Sequence, residues 1–188
     1  MKLSKTASGG AALARLDAGA ADAAPRREVA VGEVMSADVA TCTPRDSLNR
    51  CAQLMWERRV GCVPIVDAER RPVSIVTDRD VCMAAYIQGK PLVAIEVASA
   101  MSHRLFTVAA SAPVSQAEAL MRRTGVRRLL VVDGEGLLVG VLSFGDLAAR
   151  ADIGPPADVD PFSAPAIAET AAALRHVTPP PPPPSGAG

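Results

Sequence analysis

Residues 61–81 read GCVPIVDAERRPVSIVTDRDV, and residues 127–147 read RRLLVVDGEGLLVGVLSFGDL. In both stretches a short apolar run is followed by a polar turn, a second apolar run and an acidic residue, Asp80 or Asp146. The two aspartates stand at the same place in their stretches, at an offset of 66 residues (from Asp80 to Asp146). Agreement of this kind at one constant offset indicates a duplicated unit.

The repeat extends well beyond these stretches without a gap. Pairs of identical residues recur at the same offset, and the positions between them match in apolar or polar character. The identical pairs are Met35-Ser36 with Met101-Ser102, Thr41 with Thr107, Leu54-Met55 with Leu120-Met121, Val60 with Val126, Val66-Asp67 with Val132-Asp133, Glu69 with Glu135, Val73 with Val139 and Asp80 with Asp146.

Each copy predicts the element order β-α-β-β-α, an α/β (α+β) fold. In the first copy we expect a strand over Val39–Thr43, after which Pro44 and Asp46 supply a turn and a helix start. The two apolar runs on either side of the polar turn predict an antiparallel hairpin of buried strands. A second helix is expected from Asp78.

Helical spacing predicts which side chains of the first copy face the core. For the first helix these are Leu48, Cys51, Ala52, Met55 and Trp56, and for the second Val81, Met83, Ala84, Ala85 and Ile87. Trp56 and the methionines are interpreted as core or dimer contacts.

Composition changes at both ends of the chain. The predicted organisation is a flexible segment at 1–28, a first repeat at 29–90, a second repeat at 91–151, and a Pro/Ala-rich, largely disordered tail at 152–188. Within the tail we expect one short helix over Ala166–Val177. The run Pro179–Pro184 fits either an inert stiff terminus or a ligand for an aromatic-lined groove.

The chain of 188 residues is 49% hydrophobic, and its 20 basic residues equal its 20 acidic ones. Balanced charge argues against nucleic-acid binding, and no uncharged apolar run is long enough for a membrane span or an export signal. We therefore expect a soluble, cytoplasmic protein. The four cysteines show no C-x-x-C spacing, which favours buried free thiols, with a redox-sensing role for one of them as the alternative.

The ordered strings VGEVMS, TCTPRDSL, GCVPIVD and SIVTDRD in the first copy, and ASAMS, LFTV, GVRRLLVVD and GVLSFGDL in the second, resemble the CBS-domain pair, or Bateman module. The likeness covers roughly Val31 to Arg150. It implies two repeats packed about a pseudo-twofold axis, two clefts between them, and assembly into a homodimer. It also implies an adenosine ligand such as AMP, ADP, ATP or S-adenosylmethionine, without a required cofactor; whether magnesium accompanies a nucleotide stays open.

The resemblance assigns ligand-binding roles to specific residues. Asp80 and Asp146 match the ribose-binding position, where one carboxylate accepts hydrogen bonds from two adjacent hydroxyls. Thr77 and Ser143, three residues earlier, match a hydroxyl that contacts the sugar or the first phosphate. Cys62, Val63 and Pro64 match strand positions whose backbone exchanges hydrogen bonds with adenine, and Thr41 and Thr107 match positions that line the cleft floor. The remaining expected ligand-binding residues are Leu129 and, as phosphate partners, Arg79, Arg127 and Arg128.

Each assignment has an alternative. The aspartates could only stabilise helix N-termini, and the arginines could be solvated surface charges. The second copy also departs from the first, because Leu130 replaces a proline and Phe144-Gly145 replaces Asp78-Arg79. Phe144 could fill its cleft or stack on a base.

Two functions remain open from the sequence. The first is an adenine-nucleotide sensor that signals to a separate effector protein, and the second is a ligand-free dimerisation module. An enzyme is not expected, because His103 and His176 lie in no catalytic motif and no phosphate-binding glycine loop occurs.

Overall fold

The computed structural model describes residues 28–102, 104–153 and 164–175. The predictions for residues 1–27, for His103 and for the proline run lie outside the described residues. The short helix predicted in the tail is confirmed and spans Ala164–Arg175. Within the described part of the chain, no helix combines the length and the apolar character that crossing a bilayer requires.

The order helix, strand, strand, helix repeats as the sequence predicts, but the strand expected before it forms only in the second repeat. In chain order the helices and strands are α1 (Leu48–Arg58), β1 (Cys62–Val66), β2 (Pro72–Thr77), α2 (Asp78–Gln88), β3 (Thr107–Ala109), α3 (Val114–Thr124), β4 (Arg128–Val132), β5 (Leu138–Ser143), α4 (Phe144–Ile153) and α5 (Ala164–Arg175). Short 3-10 turns occupy Val31–Glu33, Leu92–Ala94 and Val97–Ser99.

Both predicted hairpins are present. Strand β1 pairs antiparallel with β2, and β4 pairs antiparallel with β5, while β3 lies parallel to β4. Each hairpin has a register irregularity in its first strand, between Ile65 and Val66 and between Val131 and Val132. These positions are equivalent under the offset of the repeat, so the duplication extends to the irregularities of the backbone.

The strand predicted over Val39–Thr43 is wrong in extent, because it is reduced to one parallel bridge between Cys42 and Ile65. In the second repeat the Ala110 N–H donates to the Val132 carbonyl and the Leu130 N–H to the Phe106 carbonyl, and the equivalent residues of the first repeat are Pro44 and Pro64. Neither proline has an N–H to donate. The ladder therefore stops after one residue, whereas the second repeat forms the three-residue strand β3.

Each repeat completes its core with the N-terminal residues of the other repeat. The N–H groups of Val31 and Gly32 donate to carbonyls of Ala112 and Ala110, at 2.8 Å each. The equivalent N–H groups of Val97 and Ala98 donate to Asp46 and Pro44, at 2.9 Å each. The apolar side chains follow, since Val29 and Val31 are buried in the core of the second repeat, and Ile95 and Val97 in that of the first.

A third apolar cluster lies at the seam between the repeats. Its buried members come from both hairpins: Cys62, Val66, Leu130, Leu138 and Val141. The reciprocal contacts and this shared cluster give the two repeats their pseudo-twofold arrangement.

Helix α5 packs against α3 and α4 of the second repeat. Its Thr170 and Leu174 are buried, and Glu118 on α3 is only 7% exposed. Burial raises the pKa of the Glu118 carboxyl, an effect that the positive charge of Arg122 opposes.

The first repeat leaves part of its helical surface exposed, which corrects three predictions. Trp56 on α1 is 86% exposed, and Met83 and Ile87 on α2 are also exposed, although helical spacing assigned them to the core. The predicted face is too wide, because the core buries only Val81 and Ala84 on α2. The prediction of buried thiols holds for Cys42, Cys51 and Cys62 and is wrong for the exposed Cys82.

Two equivalent backbone positions have positive φ in both repeats, and only the second repeat places glycine at them. Arg59 (φ 54°) and Arg70 (φ 64°) are equivalent to Gly125 (φ 72°) and Gly136 (φ 82°). Arg59 and Gly125 end helices α1 and α3 in the left-handed conformation. A side chain in this conformation is strained, so the first repeat carries a backbone cost that the second avoids.

We expect Arg59→Gly to raise the free energy of unfolding by about 1 kcal/mol, because glycine relieves the left-handed strain at the end of α1. The reciprocal change Gly125→Ala should lower it by a similar amount. Urea denaturation followed by circular dichroism measures both. A destabilised Arg59→Gly protein would contradict this account.

Gly140 on β5 lies under the Met35-Ser36 segment. A Cβ at this position would stand 2.5 Å from the Met35 sulfur and 2.9 Å from the Ser36 carbonyl oxygen, which is fixed backbone. We expect Gly140→Ala to lower the free energy of unfolding by about 1–3 kcal/mol, as overpacking does. Gly134→Ala is the matched control, since nothing lies within 4 Å of its Cβ position; equal losses in the two variants would refute the close-approach argument.

Candidate functional site

Two clefts lie at the seam, and each is lined by both repeats. The first cleft, of about 390 Å³, combines Thr77 and Asp80 of the first repeat with Leu105, Phe106 and 124–128 of the second. The second cleft, of about 260 Å³, combines Ser143 and Asp146 with residues of the first repeat. Cavities of this size range suit small organic ligands.

The two clefts are built from equivalent positions. Under the offset of the repeat, the first-cleft residues Ile75, Ser102, Leu105 and Val126 correspond to Val141, Ser36, Val39 and Val60, all of which line the second cleft. In each cleft the aspartate of one repeat faces the first hairpin strand of the other. The duplication has therefore produced two sites built on equivalent positions, of which the second is smaller.

The hydroxyl and carboxylate pairs form helix caps with nearly identical geometry. The Asp80 Oδ2 atom accepts hydrogen bonds from the Thr77 N–H at 2.8 Å and from its hydroxyl at 2.7 Å. The Asp146 Oδ2 atom accepts the same two bonds from Ser143, at 2.7 and 2.6 Å. Both aspartates therefore stabilise a helix N-terminus. The hydrogen bonds of the cap engage one carboxylate oxygen of each aspartate.

The residues matched by a family model are 31–86 and 95–152, and the model is that of the CBS domain. This chain belongs to the CBS domain family. The two matched segments are the two repeats, so the protein contains a CBS pair.

Known proteins show the same relationship. The chain is 32% identical over 120 residues to a CBS domain-containing protein of Bacillus subtilis, covering 64% of this chain and 84% of the relative. It is 36% identical over 121 residues to an uncharacterized protein of Methanopyrus kandleri, covering 64% of this chain and 62% of that relative. Among solved structures it is similar to CBSX2 in complex with AMP, with 27% identity, a TM-score of 0.56, and coverage of 66% and 96% of the two chains. CBSX2 is a protein of Arabidopsis thaliana.

The CBS fold brings the predicted site residues together in two groups. Thr77, Asp80 and Arg127 line the first cleft, and Ser143, Asp146, Cys62 and Val63 line the second, while Arg128 lines both. The strand at Cys62 therefore faces Asp146 and not Asp80 of its own repeat.

Five predicted site residues are not among those lining the two clefts. Pro64 and Leu129 are buried, and Leu129 belongs to the core of the second repeat. Arg79 and Thr107 are exposed, and Thr41 is half-buried. Phe144, which was expected to fill a cleft or stack on a base, packs against the core of the second repeat.

Several cleft residues were not predicted. Arg104, Leu105 and Phe106 line the first cleft, and Asp38 and Arg58 line the second. The repeat itself contains the signal for most of them, because Asp38 and Arg104 are equivalent positions two residues after the Met-Ser pairs. These positions face the clefts because the N-terminal segment of each repeat packs on the opposite repeat, which the sequence alone does not show.

The second cleft holds charged groups of both signs. Burial raises the pKa of the Cys62 thiol; the positive charge of Arg128 opposes the increase, whereas the negative charges of Asp78 and Asp146 add to it. Arg58 forms an ion pair with Asp38 at 2.8 Å.

Among the described residues, no group of three or more His, Cys, Asp or Glu side chains is arranged to hold a metal ion.

The caps predict a measurable loss of stability. We expect Thr77→Val and Ser143→Ala each to lower the free energy of unfolding by about 1 kcal/mol, because each removes a capping hydroxyl. Thr107→Val is the control, since this threonine is exposed on β3 and makes no side-chain hydrogen bond with a described residue. Chemical denaturation without added ligand gives all three values, and an equal loss for Thr107→Val would contradict the capping role.

Proposed function

We propose that this protein is a regulatory CBS pair that binds an adenosine-containing ligand, AMP, ADP, ATP or S-adenosylmethionine, in the clefts between its repeats. The observation that carries the proposal is the hydroxyl and carboxylate pair at the start of the last helix of each repeat, which faces the other repeat across a cleft. The similarity to CBSX2, which was solved with AMP, supports the ligand class. The proposal contains no catalytic step and no catalytic cofactor.

The capped carboxylate is suited to a ribose. The bonds from Thr77 engage Oδ2 of Asp80 and hold the carboxylate in one orientation at the helix N-terminus. Its Oδ1 atom remains to accept hydrogen bonds from adjacent ribose hydroxyls. Ser143 orients the Asp146 carboxylate in the second cleft in the same way. Capping and ligand binding are therefore compatible roles for one side chain.

The first cleft offers partners for the rest of a nucleotide. Ile75, Leu105 and Phe106 supply apolar and aromatic surface for a base. Arg127 and Arg128 supply guanidinium groups, which bind phosphate in a two-pronged geometry. A bound polyphosphate would be the reason for magnesium to accompany the ligand.

Signalling follows from the shared walls. A ligand that contacts both repeats binds most tightly to one relative orientation of them, so it shifts the population toward that orientation. A separate effector protein that recognises this orientation would read the signal. We place the protein in the cytoplasm, where thiols stay reduced, because its four cysteines are free.

A second candidate function is a ligand-free dimerisation module. The observation that favours it is the exposed aromatic surface of the first repeat, where Trp56 is 86% and Tyr86 is 83% exposed. Exposed apolar surface of this kind marks interaction sites. Homodimerisation is compatible with both functions, so ligand binding decides between them.

Isothermal titration calorimetry with AMP, ADP, ATP and S-adenosylmethionine tests the proposal. We expect saturable binding of at least one of them. Asp80→Asn, which keeps an oxygen for the Thr77 cap but loses the charge, should weaken binding in the first cleft about tenfold or more. Glu69→Gln is the control, because it removes an exposed hairpin carboxylate that lines neither cleft. Absence of heat with all four ligands would leave the dimerisation module as the function.

A further inference from the structure

The two clefts are built from equivalent positions but differ in charge. Arg104 and Arg127 in the first cleft are equivalent to Asp38 and Gly61 in the second. Three arginines, including Arg128, line the first cleft together with the single carboxylate of Asp80, and one of them, Arg127, also donates from Nη2 to the Leu174 carbonyl at 3.2 Å. The first cleft is therefore cationic.

The second cleft has no such excess of positive charge. Its Arg58 is paired with Asp38 at 2.8 Å, which leaves Arg128 as the counter-charge to Asp146. If Arg128 turned away, an anionic ligand in the second cleft would meet an uncompensated carboxylate.

Arg128 stands between the two clefts and lines both. It is the first residue of β4, and its Nη2 atom lies 3.1 Å from the position that a Cβ on Gly61 would occupy. The guanidinium thus uses space left by a missing side chain in the other repeat. The Asp78 carboxylate lies beside it, since the Asp78 Oδ2 atom is 3.6 Å from the same Cβ position, but no hydrogen bond or ion pair with a described side chain holds the guanidinium there. The equivalent residue of the first repeat is Cys62, so the seam holds one such arginine and not two.

We propose that Arg128 is a phosphate-binding group shared by the two clefts, so that a phosphate-bearing nucleotide held in the first cleft weakens the binding of a second one in the other. The inference rests on the proposed function, since it concerns the regulation of the same sites. One guanidinium cannot form two-pronged bonds to phosphates in two clefts at once. The first cleft takes Arg128 because Arg104 and Arg127 already favour an anion there.

The shared arginine makes the two clefts selective for different ligands. When a nucleotide in the first cleft has taken Arg128, the second cleft retains its apolar walls and the Asp146 carboxylate. Its remaining arginine, Arg58, is already paired with Asp38, so no arginine is left to bind a phosphate. The second cleft then favours an adenosine compound without phosphate groups. Adenosine, which has no phosphate, does not need Arg128 in either cleft.

The test compares AMP and adenosine on the full chain by calorimetry. In the unmodified protein we expect AMP to bind in two steps that differ in affinity by about tenfold or more. Asp80→Asn disables the first cleft and frees Arg128, so the affinity of the second cleft for AMP should rise by about fivefold or more. Adding Arg128→Gln to Asp80→Asn should remove this gain, while adenosine binding should be unaffected by Arg128→Gln.

Arg104→Gln is the matched control, because Arg104 lines the first cleft alone. It should weaken AMP in the first cleft, and adding it to Asp80→Asn should leave the gain in the second cleft intact. An unchanged second-cleft affinity in Asp80→Asn would overturn the shared role of Arg128 while leaving the proposed function in place. Absence of binding by both AMP and adenosine to the unmodified protein would overturn both proposals.

Discussion

The structure depends on the exchange of segments between the two repeats. Residues 29–32 hydrogen-bond to the segment before α3, and residues 95–98 hydrogen-bond in the same pattern to the segment before α1. Neither repeat can close its apolar core alone, because Val31 and Val97 are fully buried in the core of the opposite repeat. The exchange also brings the Met-Ser segments onto the last strands of the opposite hairpins, where the Ser74 hydroxyl donates to the Ser102 carbonyl at 2.6 Å. The clefts exist because this interlocking fixes the distance between the repeats.

In the proposed function, one residue type, aspartate, serves both folding and ligand binding. Asp80 and Asp146 each cap their own helix through one carboxylate oxygen, a local interaction that forms without any contact across the seam. The cap also fixes the direction of the other oxygen. A folding device of this kind provides an oriented acceptor in each cleft, and preorganisation reduces the entropy that a ligand must overcome on binding.

The duplication preserved geometry more strictly than chemistry. Irregular registers and positive-φ positions recur at the same offset, whereas the cleft side chains have diverged, as at Arg104 against Asp38 and Phe106 against Ala40. Backbone features are constrained by packing and hydrogen bonding in each copy. Side chains that line an open cleft have no such constraint, so the two sites can acquire different charge. Helix α5 adds to this asymmetry, because it covers α3 and α4 while Trp56 and Tyr86 on the first repeat stay exposed.

The sequence by itself determined the repeat, the element order, the hairpins and the helix starts. These features follow from periodicity, turn residues and capping pairs such as Thr77 with Asp80, all of which act within a few residues of the chain. It could not determine which cleft each residue lines. The sequence shows Cys62 and Asp80 in one repeat, but the segment exchange puts Asp80 opposite Arg128 and Cys62 opposite Asp146. It also overestimated the strand at Val39–Thr43, where Pro44 and Pro64 lack the N–H groups that extend the equivalent ladder in the second repeat, and the buried face of α1 at Trp56. Only the tertiary structure decided these points, because they depend on contacts between segments that lie far apart in the chain.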